Sequence, residues 1–176
     1  KNIQILEPGH YFEIDLISKK IDKTQYWDFD FSEPDKANDE TEYIEELDRL
    51  FTQAVQRQLV ADVPIGSYLS GGMDSGSITA IASNYFQKAN NHLTTFTVGF
   101  DLSSASGLEL GYDERARAEY MSGKFKTEHY EMVLKSGDME RCMANFAYHL
   151  EEPRVGQSYP NYYAAKLASK FVKVVL

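Results

Sequence analysis

Asp62-Val63-Pro64-Ile65-Gly66-Ser67-Tyr68-Leu69-Ser70-Gly71-Gly72-Met73-Asp74-Ser75 passes from a proline stop through a short apolar run into a loop of small residues. Pro64 turns its predecessor away from helix and ends whatever helix precedes it. Ile65–Ser70 then reads as a strand and Gly71–Ser75 as a loop. Gly76–Ala89 reads as a helix with Ile78, Ile81, Ala82, Tyr85 and Phe86 inward. Strand, tight loop and helix in that order are the start of a strand–helix–strand unit.

The pattern repeats downstream. Thr94–Phe100 is β-branched and aromatic, a strand. Asp113–Phe125 is a helix, Glu128–Leu134 a strand, Asp138–Leu150 and Tyr162–Lys170 helices, and Phe171–Leu176 a last strand. Alternation of this kind predicts an α/β fold, a Rossmann-like parallel sheet with helices on both faces. Upstream, Tyr43, Leu47, Leu50, Phe51, Ala54, Val55 and Leu59 lie on one helical stripe and are expected to face the core. The polar, acidic stretch around Ser32–Glu40 is the expected linker, 32–41. Before it, two strands are expected around the turn Glu7-Pro8-Gly9-His10, with a third near Tyr26–Phe29.

The loop carries the chemistry. Two adjacent glycines let the backbone approach a ligand closely. The following helix aims unpaired N–H groups and its positive dipole end at the same place, which suits phosphate. Ser70 and Ser75 add neutral donors. Asp74 would repel a phosphate, so its presence suggests a bridging Mg²⁺, which takes one or two carboxylates along with phosphate oxygens. The loop has no Lys and is not a G-x-x-x-x-G-K-[ST] loop, nor is it G-x-G-x-x-G. A glycine turn with Asp and Ser capping a helix is the competing reading of the same residues.

Composition bounds the rest. The 176 residues are 43% hydrophobic, enough for a core. With 18 Lys and Arg against 27 Asp and Glu the net charge is −9, which argues against nucleic acid or an anionic membrane as a partner. The one cysteine, Cys142, permits no intrachain disulfide and fits a reducing, cytoplasmic setting. It shares a helical stripe with Met139, Met143 and Phe146 and reads as a buried thiol. No apolar run approaches the ~20 residues of a membrane span. The chain opens without Met and stops in an apolar run, which reads as an internal piece of a longer polypeptide. His10, His92 and His149 lack metal-ligand spacing. His129 reads equally as a packed histidine or a functional one, and Arg57 equally as a cleft residue or a partner of nearby acids. Asp113 and Glu114 could simply cap a helix, and Glu151 and Glu152 read as loop.

Residues 62–75 resemble the signature of the asparagine synthetase (glutamine-hydrolysing) family, and Ser-Gly-Gly-x-Asp-Ser resembles the pyrophosphate loop of N-type ATP pyrophosphatases. Companions follow in order: Arg57, Phe96–Phe100, Tyr112-Asp113-Glu114, Thr127-Glu128-His129, Glu151-Glu152-Pro153 and Val172–Leu176. Residues 3–29 resemble the end of that family's glutaminase domain. The resemblance implies an adenine nucleotide alpha hydrolase-like fold over 42–176, preceded by 1–31 as the tail of an Ntn hydrolase-like domain. It implies ATP and Mg²⁺, with aspartate and glutamine-derived ammonia as further substrates; a homodimer is a candidate assembly. By position it assigns Ser70, Gly71, Gly72 and Ser75 to the leaving phosphates, Asp74 to Mg²⁺, and Leu69 and Val98 to adenosine, with Asp74 and Ser75 as the catalytic pair. It also implies a second phosphate loop after the last strand. Two departures stand out: Glu151-Glu152-Pro153 where the family more often has Asp-Glu-Pro, and a long Ser/Gly loop before Tyr112. Either could mark another acceptor.

Overall fold

A computed structural model of the chain describes residues 4–32, 39–103, 113–151 and 158–176. The chain divides into two compact units, Lys1–Glu42 and Tyr43–Leu176.

In the first unit, β1 (His10–Ile14) pairs antiparallel with β2 (Ile21–Gln25), from His10↔Gln25 to Ile14↔Ile21. The reversal lies at residues 15–20, not at Pro8-Gly9 as expected. Asp15 makes it: its Oδ1 accepts the N–H groups of Ile17 and Ser18, each at 2.8 Å, and Lys19 takes a left-handed φ of 57°. Gly9 instead allows a close approach. Its carbonyl accepts Tyr26 N–H at 2.8 Å, and a Cβ there would sit 2.1 Å from the Trp27 carbonyl oxygen. Among the described residues there is no strand at 4–6 or at 26–29.

The second unit begins within α1 (Glu40–Gln58). Asp39 caps this helix, its Oδ1 accepting Thr41 and Glu42 N–H at 2.7 and 3.0 Å. Then come β3 (Ile65–Tyr68), α2 (Met73–Lys88), β4 (Thr94–Phe100), α3 (Arg115–Phe125), β5 (Glu128–Leu134), α4 (Asp138–Leu150), α5 (Ser158–Ala168) and β6 (Val174–Val175). The last helix starts four residues before the expected Tyr162. Pro160 lies in its first turn, where a missing N–H costs nothing, so the proline opens the helix rather than interrupting it.

The strands form one parallel sheet in the order β5-β4-β3-β6. Side chains alternate across it. Ile65 packs with Val55 of α1, Leu59 just after it, Ala82 of α2 and Leu93. On the other face Phe96 packs with Leu167 and Ala168 of α5 and with Val172. Gly66 is required there, since a Cβ would meet the Phe96 ring at 2.6 Å. The expected α/β sheet with helices on both faces is therefore what forms. The stripe on α1 is core only at its end: Val55 and Leu59 are buried, whereas Tyr43, Leu47, Leu50 and Ala54 are exposed. Only the last turns of α1 reach the packing around Ile65 and Ala82.

This order fixes where a ligand can go. The chain steps from β3 to β4 to β5 on one side, then returns to place β6 on the other side of β3. The switch point is between β3 and β6, and open α/β sheets bind ligands outside the carboxyl ends of strands at such a point. The Ser70–Ser75 segment leaves the sheet from β3.

Candidate functional site

The loop is shorter than the sequence suggests. Met73, Asp74 and Ser75 already belong to the first turn of α2, so the non-helical part is Leu69–Gly72. Both backbone groups of Leu69 are held: its N–H donates to Phe96 O at 3.0 Å, and its carbonyl accepts the Thr97 hydroxyl. Gly71 then turns with φ +77°, a conformation L side chains rarely adopt, and Gly72 (φ −78°, ψ 164°) caps the helix. Ser75 braces the turn from inside. Its Oγ accepts the Ser70 N–H at 3.1 Å and lies 2.9 Å from Ser70 Oγ.

Among the described residues, the N–H groups of Gly71, Met73, Asp74 and Ser75 have no hydrogen-bond partner, as expected for a helix start without a side-chain cap. Gly71 and Gly72 are half-buried and Asp74 is exposed, its carboxylate engaging no described group. Ser75 is thus a brace as well as a donor, and Asp74 does not cap the helix. What remains is a set of open N–H groups at a positive helix end, beside one free carboxylate. No cluster of three or more His, Cys, Asp or Glu that could cage a metal occurs among the described residues. A Mg²⁺ shared between one carboxylate and phosphate oxygens needs no such cage, so Asp74 fits.

A cleft of about 520 Å³ opens at the carboxyl ends of β3 and β4. Leu69, Ser70 and Val98 line it together with Tyr68, Phe96, Thr97, Phe100, Glu114, Pro160, Asn161 and Ala164. Phe96 turns its carbonyl toward β3, where it accepts Leu69 N–H. Val98, two residues on, presents its backbone to the same side. There β3 has already ended, its pairing stopping at Tyr68↔Phe96. The backbone edge of Val98 is therefore open to the cleft, a donor and an acceptor beside apolar walls. That is a suitable seat for a flat heterocycle.

The structure thus brings Leu69, Ser70, Gly71, Gly72, Asp74, Ser75 and Val98 to one end of the sheet. Arg57 is not among them. It lies in the last turn of α1, before the amino end of β3, while the cleft is at the carboxyl ends. Glu152, Pro153, Tyr112 and most of the Ser/Gly loop fall outside the described residues. Cys142 is buried, its thiol 3.3 Å from Met139 O, a packed group as expected. Sequence reasoning missed Asn161 and Arg117. Asn161 enters the cleft from α5, which begins four residues earlier than the sequence pattern predicts. Arg117 packs directly on Gly71: a Cβ added there would come 2.5 Å from Arg117 Cβ and 3.0 Å from Ala118 N.

His129 faces α3 rather than the cleft. Its Nδ1 lies 2.9 Å from Thr95 Oγ1, which also meets Thr127 Oγ1 at 2.8 Å. Its Nε2 is 3.3 Å from Glu131 but poorly aligned, and is buried without a hydrogen bond. Burial pushes the pKa of His129 below the ordinary value, against the opposing pull of Glu131. The folded state thus resists the proton that the unfolded chain accepts from about pH 6.5 downward. Stability falls as pH drops from there toward the folded-state value. Denaturant midpoints at pH 8 and pH 5.5 should show wild type losing more on acidification than His129→Gln. Equal losses would contradict this account.

With the geometry in place, the family is decided by residues 46–176, which match the sequence model of the asparagine synthase family. The chain belongs to the asparagine synthase family. It is 32% identical over 177 residues to a Methanocaldococcus jannaschii protein carrying the provisional name asparagine synthetase (glutamine-hydrolysing) 2; the match covers all of this chain and 32% of that protein. It is 31% identical over 144 residues to asparagine synthetase (glutamine-hydrolysing) 3 of Bacillus subtilis, across 79% of this chain and 23% of the relative. It is also 31% identical over 132 residues to amidase chyE of Penicillium rubens, across 67% of this chain and 18% of that protein. The chain spans about a third or less of the length of these relatives. No helix among the described residues is long and apolar enough to cross a membrane.

Proposed function

We propose that this chain carries the ATP-binding half of an enzyme that amidates aspartate to asparagine, splitting ATP into AMP and pyrophosphate. The observation supporting it most is the open Gly71-Gly72 turn, with free N–H groups at the start of α2, beside a cleft that exposes the backbone edge of Val98. In this reading the N–H groups of Gly71–Ser75 and the hydroxyl of Ser70 hold the β- and γ-phosphates. Ser75 keeps the turn in shape and donates to the same anion. Leu69 and Val98 flank the purine. Asp74 holds Mg²⁺, which neutralises phosphate charge when bound.

The side-chain carboxylate of aspartate attacks the α-phosphorus and pyrophosphate leaves, giving β-aspartyl-AMP. Ammonia then attacks the acyl carbon, loses a proton and expels AMP. The protein contributes position and charge compensation rather than a nucleophile of its own. Ammonia comes from glutamine through a glutaminase-type domain of which residues 1–31 are the tail, joined by the 32–41 linker to the synthetase part, 42–176. A second phosphate loop would follow β6, across the switch point from Ser70. A cytoplasmic location and a homodimer go with this reading.

A second reading keeps the adenylation and changes the acceptor. It draws support from the relatives named as amidases, chyE and, at 33% identity over 130 residues, amidase chry2 of Gibberella zeae. Acceptor-dependent exchange of labelled pyrophosphate into ATP by the full-length protein separates the two. Exchange that requires aspartate supports the first, and exchange with another carboxylate but not aspartate supports the second. ATP binding without exchange for any acceptor would defeat both in favour of a nucleotide-binding module.

A further inference from the structure

Within its first helical turn α3 departs from a general rule, its acids Asp113 and Glu114 standing just before it. A helix start favours carboxylates and disfavours cations, because its dipole is positive there. This first turn carries no acid within it and two arginines, Arg115 and Arg117. Arg115 is accounted for. It makes an ion pair of 2.7 Å with Asp113, donates to Phe100 O at 3.1 Å, and its stem fills the space that a side chain on Gly99 would need. Arg117 has no such partner. It is exposed, and no hydrogen bond or ion pair engages its guanidinium among the described residues. Its Cβ packs on Gly71, so its stem starts at the turn itself.

Two helix starts, α2 and α3, therefore meet at Gly71, with an unpaired guanidinium rooted between them. Asp113 is taken up by Arg115, so the carboxylates left unpaired there among the described residues are Asp74 and Glu114, and the guanidinium of Arg117 pairs with neither. An anion of more than one charge would compensate both dipole ends and the arginine together. The turn has no lysine of its own, and the chain as a whole is acidic. We propose that Arg117 is a phosphate-binding residue that closes over the leaving pyrophosphate from α3, opposite the N–H groups of α2. The proposal rests on the phosphate reading of the Ser70–Ser75 turn. It adds that the cation comes from the neighbouring helix.

The test uses the full-length protein with Arg117→Met, which keeps an aliphatic stem over Gly71, and Arg117→Lys, which keeps the charge without the fork. Titration calorimetry with inorganic pyrophosphate and with Mg-ATP gives the affinities, and steady-state kinetics gives KM for each substrate. Arg117→Met should weaken pyrophosphate binding ~20-fold, the loss expected for a charge-assisted contact. Arg117→Lys should fall between Met and wild type. KM should rise for ATP but not for the acceptor, and thermal unfolding should be unchanged. Pyrophosphate binding by Arg117→Met within twofold of wild type would overturn the proposal, as would equal losses in the Met and Lys variants. If Ser75→Ala still loses pyrophosphate in that case, the turn remains the phosphate site and Arg117 alone is excluded. If wild type binds neither pyrophosphate nor ATP, the phosphate reading itself fails, and this proposal with it.

Discussion

Asp74→Ala in the full-length protein is expected to lower acceptor-dependent pyrophosphate formation by a factor on the order of 10³ or more, with the circular dichroism spectrum and unfolding midpoint unchanged. The separation of the two effects comes from the geometry. Asp74 is exposed in the first turn of α2 and makes no described hydrogen bond or ion pair, so its removal leaves no buried partner unsatisfied. A carboxylate at a helix start is worth only ~0.3–1 kcal/mol through the dipole. On the proposed reading its larger role exists only when a metal and a triphosphate are present, and vanishes with the side chain. Raising Mg²⁺ should recover part of the activity if metal affinity is what was lost. A variant with wild-type turnover would remove Asp74 from the site.

Gly71→Ala should fail in another way, by disturbing the fold around the turn. The backbone has φ +77°, which costs an L residue roughly 1–2 kcal/mol. The new methyl would also meet Arg117 Cβ at 2.5 Å and the backbone of Ala118 at 3.0 Å. That overlap can be relieved only by moving α3 or the turn, which typically costs ~1–3 kcal/mol. Together these predict destabilisation of about 2–5 kcal/mol by urea denaturation, along with loss of ATP binding. Gly72→Ala is the control. Its φ is −78°, and an added Cβ meets only Ser70 Oγ, at 3.4 Å. It should fold normally and lose nucleotide affinity, because the methyl would occupy space left open for phosphate. Equal destabilisation by the two substitutions would show that the tight approach belongs to the whole turn and not to Gly71.

The two glycines look alike in the sequence, and nothing local tells them apart. One is needed for its backbone angle and for a neighbour 46 positions away, while the other leaves space beside the open N–H groups. The same limit explains Arg117. Two arginines at a helix start have no separate roles in the sequence until Arg115 is seen paired with Asp113 and Arg117 is seen resting on Gly71. It explains Arg57 as well. Its place in a motif list gives no end of the sheet, whereas its position before β3 puts it away from the carboxyl ends. The position of the early hairpin is not legible in the sequence, because Pro8-Gly9 is the stronger turn pair by composition while the reversal is made by the carboxylate of Asp15, a weaker signal.

By itself the sequence determined the succession of strands and helices in residues 65–134 and the small-residue turn between β3 and α2. Both follow from local rules: side-chain period, proline and glycine conformations, and the free N–H groups of a helix start. Which strands become neighbours, which backbone edge is left unpaired at Val98, and which cation stands beside the turn were decided only by the tertiary structure. Those are contacts between residues far apart in the chain, and they exist only once both faces of the sheet have been covered.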